Sequence, residues 1–505
     1  IFYGTSDAEL IALDAATGKP CADFGKDGRI DLRAAIGEVK SWTYYPTSPP
    51  LIMKDRVVIN GLVADNLTVN SAPGVVRAYD ARRGELAWAW DPTPPGWVPG
   101  PEYQKGGTYQ QGSPNSWSIM TGDEELGLVY VPTGNPGADL YGGQRNGLDF
   151  YGSSTVALSI DTGQVVWHRQ HVHHDVWDYD TPAPPTLFRI EGVGDGAPAL
   201  VQPTKMGHLF LLDRANGAPL YPIEERPVPQ GGVPGETLSP TQPFPTHPAP
   251  LHPSRLEPGD AHGFTPIDWF NCRGKIAKAR WDGAFTPPSL EGSIGYPHTS
   301  GGMNWGGVAI DPVRGLLIVN QTHIAQVTKL VPREEAAGID RAKMQYPNEL
   351  YEMEGTPYVA LRSGLMSFLG APCNPTPWGT VSAVDLRSGK LAWQVPLGTL
   401  EGLAGWPVTA LWKNTGAPNF GGGMATASGL YFIGASTDAY FRAFDVSNGK
   451  QIWKTKLPFG GHAVPMSFRG ASGAQYIVIA AGGNVFTRMG AELLAFRLPP
   501  PPAGN

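Results

Sequence analysis

Cysteine is scarce, three in 505 residues, and its placement excludes several chemistries. Cys21, Cys272 and Cys373 form neither a Cys-x-x-Cys-His motif nor a zinc-type spacing, so attached c-type haem and a cysteine zinc site are ruled out. Each reads as a buried inert thiol; the alternative is that Cys272 and Cys373 pair and Cys21 is left over. No stretch approaches the roughly 18 apolar residues needed to cross a bilayer. No Lys/Arg-rich run stands out, and the net charge is −7 at pH 7. Nucleic acid and anionic membrane surfaces are therefore poor partners. Ile1-Phe2-Tyr3-Gly4 carries neither a charged leader nor a signal-type apolar run. It reads as the inside of a strand, as in a processed piece with sequence upstream.

What is abundant is turn-forming and aromatic. Glycine (65) and proline (50) make nearly a quarter of the chain, against a usual background of roughly 12%. With 15 tryptophans and 10% aromatics, this composition favours many short strands joined by turns. A motif recurs: a short β run ending in Asp, a turn with Gly, and a strand carrying Trp. Clear copies run from Val76 through Asp80 and Gly84 to Trp88, from Ala157 through Asp161 and Gly163 to Trp167, from Ala383 through Asp385 and Gly389 to Trp393, and from Ala443 through Asp445 and Gly449 to Trp453. Weaker copies centre on Asp14/Gly18, Asp213/Gly217 and Asp311/Gly315.

The physics of one copy is a hairpin in which Asp caps the turn, Gly supplies positive φ, and Trp enters the layer between sheets. The spacing, 66 residues from Asp14 to Asp80 and 60 from Asp385 to Asp445, exceeds the roughly 40–45 of a plain four-stranded blade. Each blade then carries an insertion on one face, where function usually sits. The expected architecture is an all-β propeller forming one domain over residues 1–498. Residues of about 223–266 are Pro-rich, lack strand pattern and read as a long surface excursion; the tail 499–505 is expected to be disordered.

His173-His174-Asp175-Val176-Trp177-Asp178-Tyr179-Asp180 is the densest ionisable cluster. Adjacent histidines on a strand face opposite ways, so His173 and His174 read as structural, and Asp175 and Asp180 as support. Gly301–Gly307 joins no strand to a helix, so phosphate binding is excluded and close approach of backbone to a ligand is expected.

The repeat resembles the tryptophan-docking motif of eight-bladed quinoprotein dehydrogenases, which use pyrroloquinoline quinone (PQQ) and Ca²⁺. Longer blocks are similar to the periplasmic part of the membrane-bound glucose and quinate dehydrogenase group: Tyr45 through Pro50, Asn115-Ser116-Trp117, His173 through Asp178, Ser239 through Phe244, and Phe285 through Pro288. The resemblance implies an eight-bladed propeller lacking its N-terminal portion, a periplasmic location, and membrane attachment only through a segment absent here. It places a catalytic base at Asp178, metal ligands at Asp65, Asn135 and Asp178, and cofactor contacts at Thr47, Trp117, Lys205 and Asn320.

These residue types suit the chemistry. Oxygen ligands suit Ca²⁺, with Mg²⁺ the alternative; a carboxylate takes a hydroxyl proton; a lysine stabilises negative charge on a quinone oxygen; an indole offers a flat floor. Taken singly, each has a plainer reading: Asp178 a turn cap, Trp117 a core residue, Asp65 and Lys205 solvated side chains. Asn484 stands where glucose-oxidising members carry His, which argues against glucose itself and keeps another sugar, a cyclic polyol, a quinate-like acid or another secondary alcohol open as the substrate. The implied acceptor is ubiquinone or a soluble electron carrier. The competing functions are a non-catalytic scaffold of the same ancestry, which would have lost Asp65, Asn135, Asp178 and Lys205, and a lectin-like propeller, which would repeat an aromatic pocket in every blade.

Overall fold

A computed structural model describes residues 1–103, 107–340, 344, 348–402 and 412–498; the tail 499–505 lies outside them. Among the described residues the fold is nearly all sheet, with one α-helix. Seven sheets follow one another along the chain, each an antiparallel meander of three or four strands. They start at Phe2, Leu51, Thr121, Thr186, Ala309, Gly423 and Met466. Apolar residues of each sheet pack on the next: Leu10 with Val57, Val58 with Val129, Tyr130 with Phe210, Val201 with Val319, Ile318 with Ile433, and Phe441 with Ile479 share successive buried clusters.

The repeat explains this stacking. Trp88 lies on Gly163, Trp167 on Gly217 and Trp393 on Gly449, so closely that a Cβ on those glycines would stand 2.4–2.6 Å from ring atoms. Each indole N–H donates to the carbonyl three residues before that glycine: Ile160 at 2.7 Å, Arg214 at 3.1 Å and Val446 at 2.7 Å. The glycines have φ of 69–72°, which an L-residue adopts only at a cost. Asp80, Asp311 and Asp385 accept backbone N–H groups across their turns. In the third sheet the capping position belongs to Ser159, not Asp161: the Gly163 N–H reaches the Ser159 carbonyl, and Asp161 instead meets Lys54 on the surface.

The Pro-rich excursion departs from expectation. It holds a strand pair, Ile223–Pro227 with Thr241–Pro245, because a two-stranded ribbon has only edges and edges tolerate proline. It also supplies a substitute for a missing docking Trp. His247 stacks on Tyr221, covers Gly389, and its Nε2 lies 3.2 Å from the Leu386 carbonyl, again three residues before the glycine. The excursion runs into α1 (Pro266–Lys278), capped by the Thr265 side chain. Cys272 of this helix and Cys373 form a disulfide, and Cys21 is free. A further inserted sheet orders Ser293–Gly295, Gln326–Pro332, Tyr358–Gly364 and Asn348–Tyr351 side by side.

Meander topology sorts the connections by end. The Asp–Gly turns, between third and fourth strands or, at Asp311, between first and second, lie at one end; loops after second strands and crossings between sheets lie at the other. Residues 60–75, 133–153, 171–185, 204–208 and 323–378 all fall in this second class. They carry Asp65, Asn135, Asp178, Lys205 and Arg362.

Candidate active site

Asp178 is the centre of the convergence. It sits in an irregular loop, not a strand, with φ of 62°, a left-handed conformation that costs an Asp about 1 kcal/mol and is often kept for a reason other than folding. The Lys205 ammonium donates to its Oδ1 at 2.7 Å and to its carbonyl at 2.9 Å. Arg362 Nη1 stands 3.4 Å from its Oδ2. Both cations are nearly buried. Burial raises the Asp178 pKa above the usual carboxylate range; Lys205 opposes this, and the charges of Asp180 and Asp65 add to it. Lys205 is raised in turn: burial disfavours its charge, but Asp178 and Asp180 outweigh that.

Asp180 belongs to this constellation rather than to its support. It pairs with Lys205 and accepts the Trp117 indole N–H on Oδ2 at 2.6 Å. The Trp117 carbonyl accepts from Thr47 Oγ1 at 2.8 Å and Ser48 Oγ at 2.7 Å. Thr47 thus uses its one proton to hold Trp117 and keeps only lone pairs for a ligand. Asn320 similarly commits its Nδ2 to Asn419 and to the Gly421 carbonyl. Asp65 is exposed to solvent, although protein surrounds it. Enclosure and the repulsion of Asp180 raise its pKa to about 6. Asp139, held by Asn66 Nδ2 at 2.9 Å, is raised by burial and by the charges of Asp65, Asp178 and Asp180.

Asn135 tests whether a metal fits. Ser153 Oγ lies 3.1 Å from Asn135 Oδ1 and 2.8 Å from Asp175 Oδ2, yet a hydroxyl has one proton. Asp175 Oδ2 is the nearer acceptor, so the amide satisfies Ser153 by presenting its NH₂. Its oxygen then takes the side where Nδ2 is buried without a partner. This orientation leaves one amide oxygen without a protein donor, the donor chemistry a hard cation takes. Among the described residues no three His, Cys, Asp or Glu side chains converge as a metal cluster; the expected set has only two carboxylates, Asp65 and Asp178, with the amide as its third member.

The other expectations resolve locally. His173 bonds Gln170 and Glu225, and His174 bridges Asp149 and Glu236, both structural, though in a turn rather than a strand. Asp175 accepts the Trp177 and Tyr179 N–H groups. The Gly301–Gly307 backbone approaches protein: Gly301 lies on Lys205 and Gly306 on Gly421–Gly422. Asn484 caps its own turn through Phe486 N. Asp139, Asp180 and Arg362 were not singled out from the sequence. Asp180 had a signal, two residues from Asp178 in a segment too irregular to alternate; Arg362, from a distant insertion, had none.

An acidic, cation-bridged site at one end of stacked, Trp-docked sheets defines a propeller of the quinoprotein class. Residues 1–477 match the family model of the PQQ glucose/ethanol/alcohol dehydrogenase β-propeller domain, and the chain belongs to that family. It is 41% identical to the glycerol dehydrogenase large subunit of Gluconobacter oxydans, over 99% of this chain and 69% of the relative. It is 37% identical to the quinoprotein glucose dehydrogenase of Escherichia coli, over 99% of this chain and 63% of the relative. The chain therefore spans about two thirds of these relatives. The europium-containing methanol dehydrogenase structure superposes with a TM-score of 0.62 at 22% identity, over 95% of this chain and 71% of that one, a likeness of fold. Among the described residues no helix is long and apolar enough to cross a membrane.

Proposed function

We propose that the chain is the catalytic part of a PQQ-dependent dehydrogenase that oxidises a hydroxyl group of a polyol, sugar, quinate-like cyclic acid or other secondary alcohol. The observation that carries this is Asp178: a buried carboxylate on a left-handed backbone, fixed between two cations at the loop-bearing end of the sheets. PQQ with Ca²⁺ (or Mg²⁺), when bound, supplies an electrophilic quinone that takes hydride from the alcohol carbon.

The protein's own residues do the rest. Asp178, its pKa raised by burial, is matched to accepting the hydroxyl proton near neutral pH. Lys205 remains charged and places an ammonium where negative charge develops on a bound oxyanion. Trp117, fixed at its carbonyl by Thr47 and Ser48 and at its N–H by Asp180, presents a face with no freedom to tilt. Asp65, Asn135 and Asp178 would hold the cation, and Thr47, Trp117, Lys205 and Asn320 the cofactor. Glycerol and glucose in the relatives' names support a polyhydroxylated substrate. The reading extends to an eight-bladed ring in the full-length protein, a periplasmic location, and ubiquinone or a soluble carrier as acceptor.

A non-catalytic scaffold has no use for a carboxylate buried beside Lys205 and Arg362. The test is reconstitution with PQQ and Ca²⁺ and dye reduction against a panel of polyols, sugars and cyclic acids. Asp178→Asn should bind PQQ and lose at least about 10²-fold in turnover; undiminished turnover, or no PQQ uptake by the parent protein, overturns the proposal.

A further inference from the structure

Arg362 lies in the Tyr358–Gly364 strand of the inserted sheet, flanked in register by Thr328 on one neighbour and Glu349 on the other. It therefore projects from the middle of a sheet, and rigid elements hold a group more finely than loops do. A guanidinium has five N–H donors, and all are engaged. Nε bonds Glu349 Oε2 at 2.8 Å. Nη1 bonds Thr299 Oγ1 at 2.6 Å and faces Asp178 Oδ2 at 3.4 Å. Nη2 bonds the Tyr351 hydroxyl and approaches Glu349 Oε2 at 2.8 Å. The guanidinium carbon also stands 4.7 Å from the centre of the Tyr351 ring, within cation–π range.

This engagement decides between two roles. An arginine that recognises a substrate carboxylate or hydroxyl needs an unengaged donor facing the cavity; this one has none, and Glu349 already balances its charge. What it does touch is the oxygen of Asp178 that Lys205 leaves alone. Lys205 holds Oδ1 and Arg362 faces Oδ2, so together they fix the plane of the carboxylate. We infer that Arg362, clamped by Thr299, Glu349 and Tyr351, is a positioning residue that sets the orientation of the Asp178 carboxylate, and that the inserted sheet thereby controls turnover rather than substrate or cofactor binding. This rests on the proposed role of Asp178 as base.

The test uses the full chain loaded with PQQ and Ca²⁺. Arg362→Gln should lower kcat by about 10–10²-fold, the scale of a misplaced reacting group. KM should stay within about threefold, and so should the PQQ concentration that half-quenches tryptophan fluorescence, a change near the limit of significance. Arg362→Lys should recover only part of kcat, because an ammonium keeps the charge but not the planar fork. Guanidinium ion added to Arg362→Ala should restore turnover in a saturable way. Glu349→Gln and Thr299→Val, which loosen the clamp and leave the charge, should lower kcat by about 3–10-fold, and they carry the test if Arg362→Gln does not fold.

A tenfold rise in KM at unchanged kcat would make Arg362 a substrate contact and overturn the inference; so would PQQ affinity falling in step with rate. Wild-type kcat in the Arg362 or clamp variants overturns it as well. Asp178→Asn separates the two readings. If it is inactive while Arg362→Gln is fully active, the positioning role alone fails; if it is active, the assignment of the base fails.

Discussion

Replacing Gly217 and Gly18 with alanine isolates what tryptophan docking contributes. Both glycines end the same Asp–Gly turn with φ of 69°. An alanine at that φ costs about 1–2 kcal/mol. Around Gly18 nothing lies within 4 Å of the added methyl, whereas at Gly217 it would stand 2.4 Å from Trp167 Cε3. The indole is nearly buried and tied through its N–H to the Arg214 carbonyl, so it must tilt and lose that bond. Overpacking of this kind costs about 1–3 kcal/mol. Gly18→Ala should therefore lose about 1–2 kcal/mol and Gly217→Ala about 2–5 kcal/mol. Hydrogen exchange of the amides in the third and fourth sheets, alongside urea unfolding, reads the local difference. In a Trp167→Leu background, which removes the ring, the excess at Gly217 should disappear. Equal losses at the two glycines, or an excess that survives without the indole, would refute docking as a source of stability.

His174 gives a pH dependence. Burial disfavours its charge, but the hydrogen bonds it donates to Asp149 and Glu236 outweigh this and raise its pKa to about 9 from 6.5. The raised folded pKa means its contribution is complete below pH 6.5 and is lost as pH rises through about 9. That shift is worth about 3 kcal/mol. Urea midpoints between pH 6 and 10 should fall more steeply in the parent than in His174→Gln, and parallel curves would remove His174 as the cause. Ser153→Ala, by releasing the Asn135 amide, should raise the Ca²⁺ concentration needed for half-maximal reconstitution about tenfold, and should also lower the urea midpoint, because the buried Asp175 carboxylate loses the hydroxyl it accepts from. Unchanged calcium demand would put the amide outside the metal site.

The fold was largely legible because its signal is local. Asp, Gly and Trp at fixed offsets specify a turn and the surface that docks on it, and the structure repeats that unit through Trp88, Trp167 and Trp393. Where the offset drifted, reading failed in a traceable way: Asp161 drew attention, but Ser159 holds the capping position four residues before Gly163. His247 was invisible, since nothing in a Pro-rich stretch marks a histidine that takes a tryptophan's place. The site was legible only through resemblance. Its charged residues come from loops between 65 and 205 and from one strand of the inserted sheet, and no spacing rule connects them; Asp180 and Arg362 show what resemblance leaves out, namely the partners that hold an assigned residue still.

Charge gives the strongest reason to expect a cation at this site. Asp65, Asp139, Asp178 and Asp180 repel one another, and the raised pKa values of Asp65, Asp139 and Asp178 record that repulsion together with burial. Against the four stand Lys205, Arg362 and, beside Asp139, Arg145; Arg362 is shared with Glu349 and Arg145 with Asp149. Like charges kept together away from water are destabilising. A sequence under selection for stability alone would replace one of them, because a carboxylate exchanged for an amide relieves the repulsion at once. Protonation relieves it too, but a protonated Asp178 is no base. A divalent ion would offset the repulsion and let Asp65, Asp139 and Asp178 remain ionised at neutral pH. On that argument, calcium would act on Asp178 even before substrate arrives, by keeping it a carboxylate.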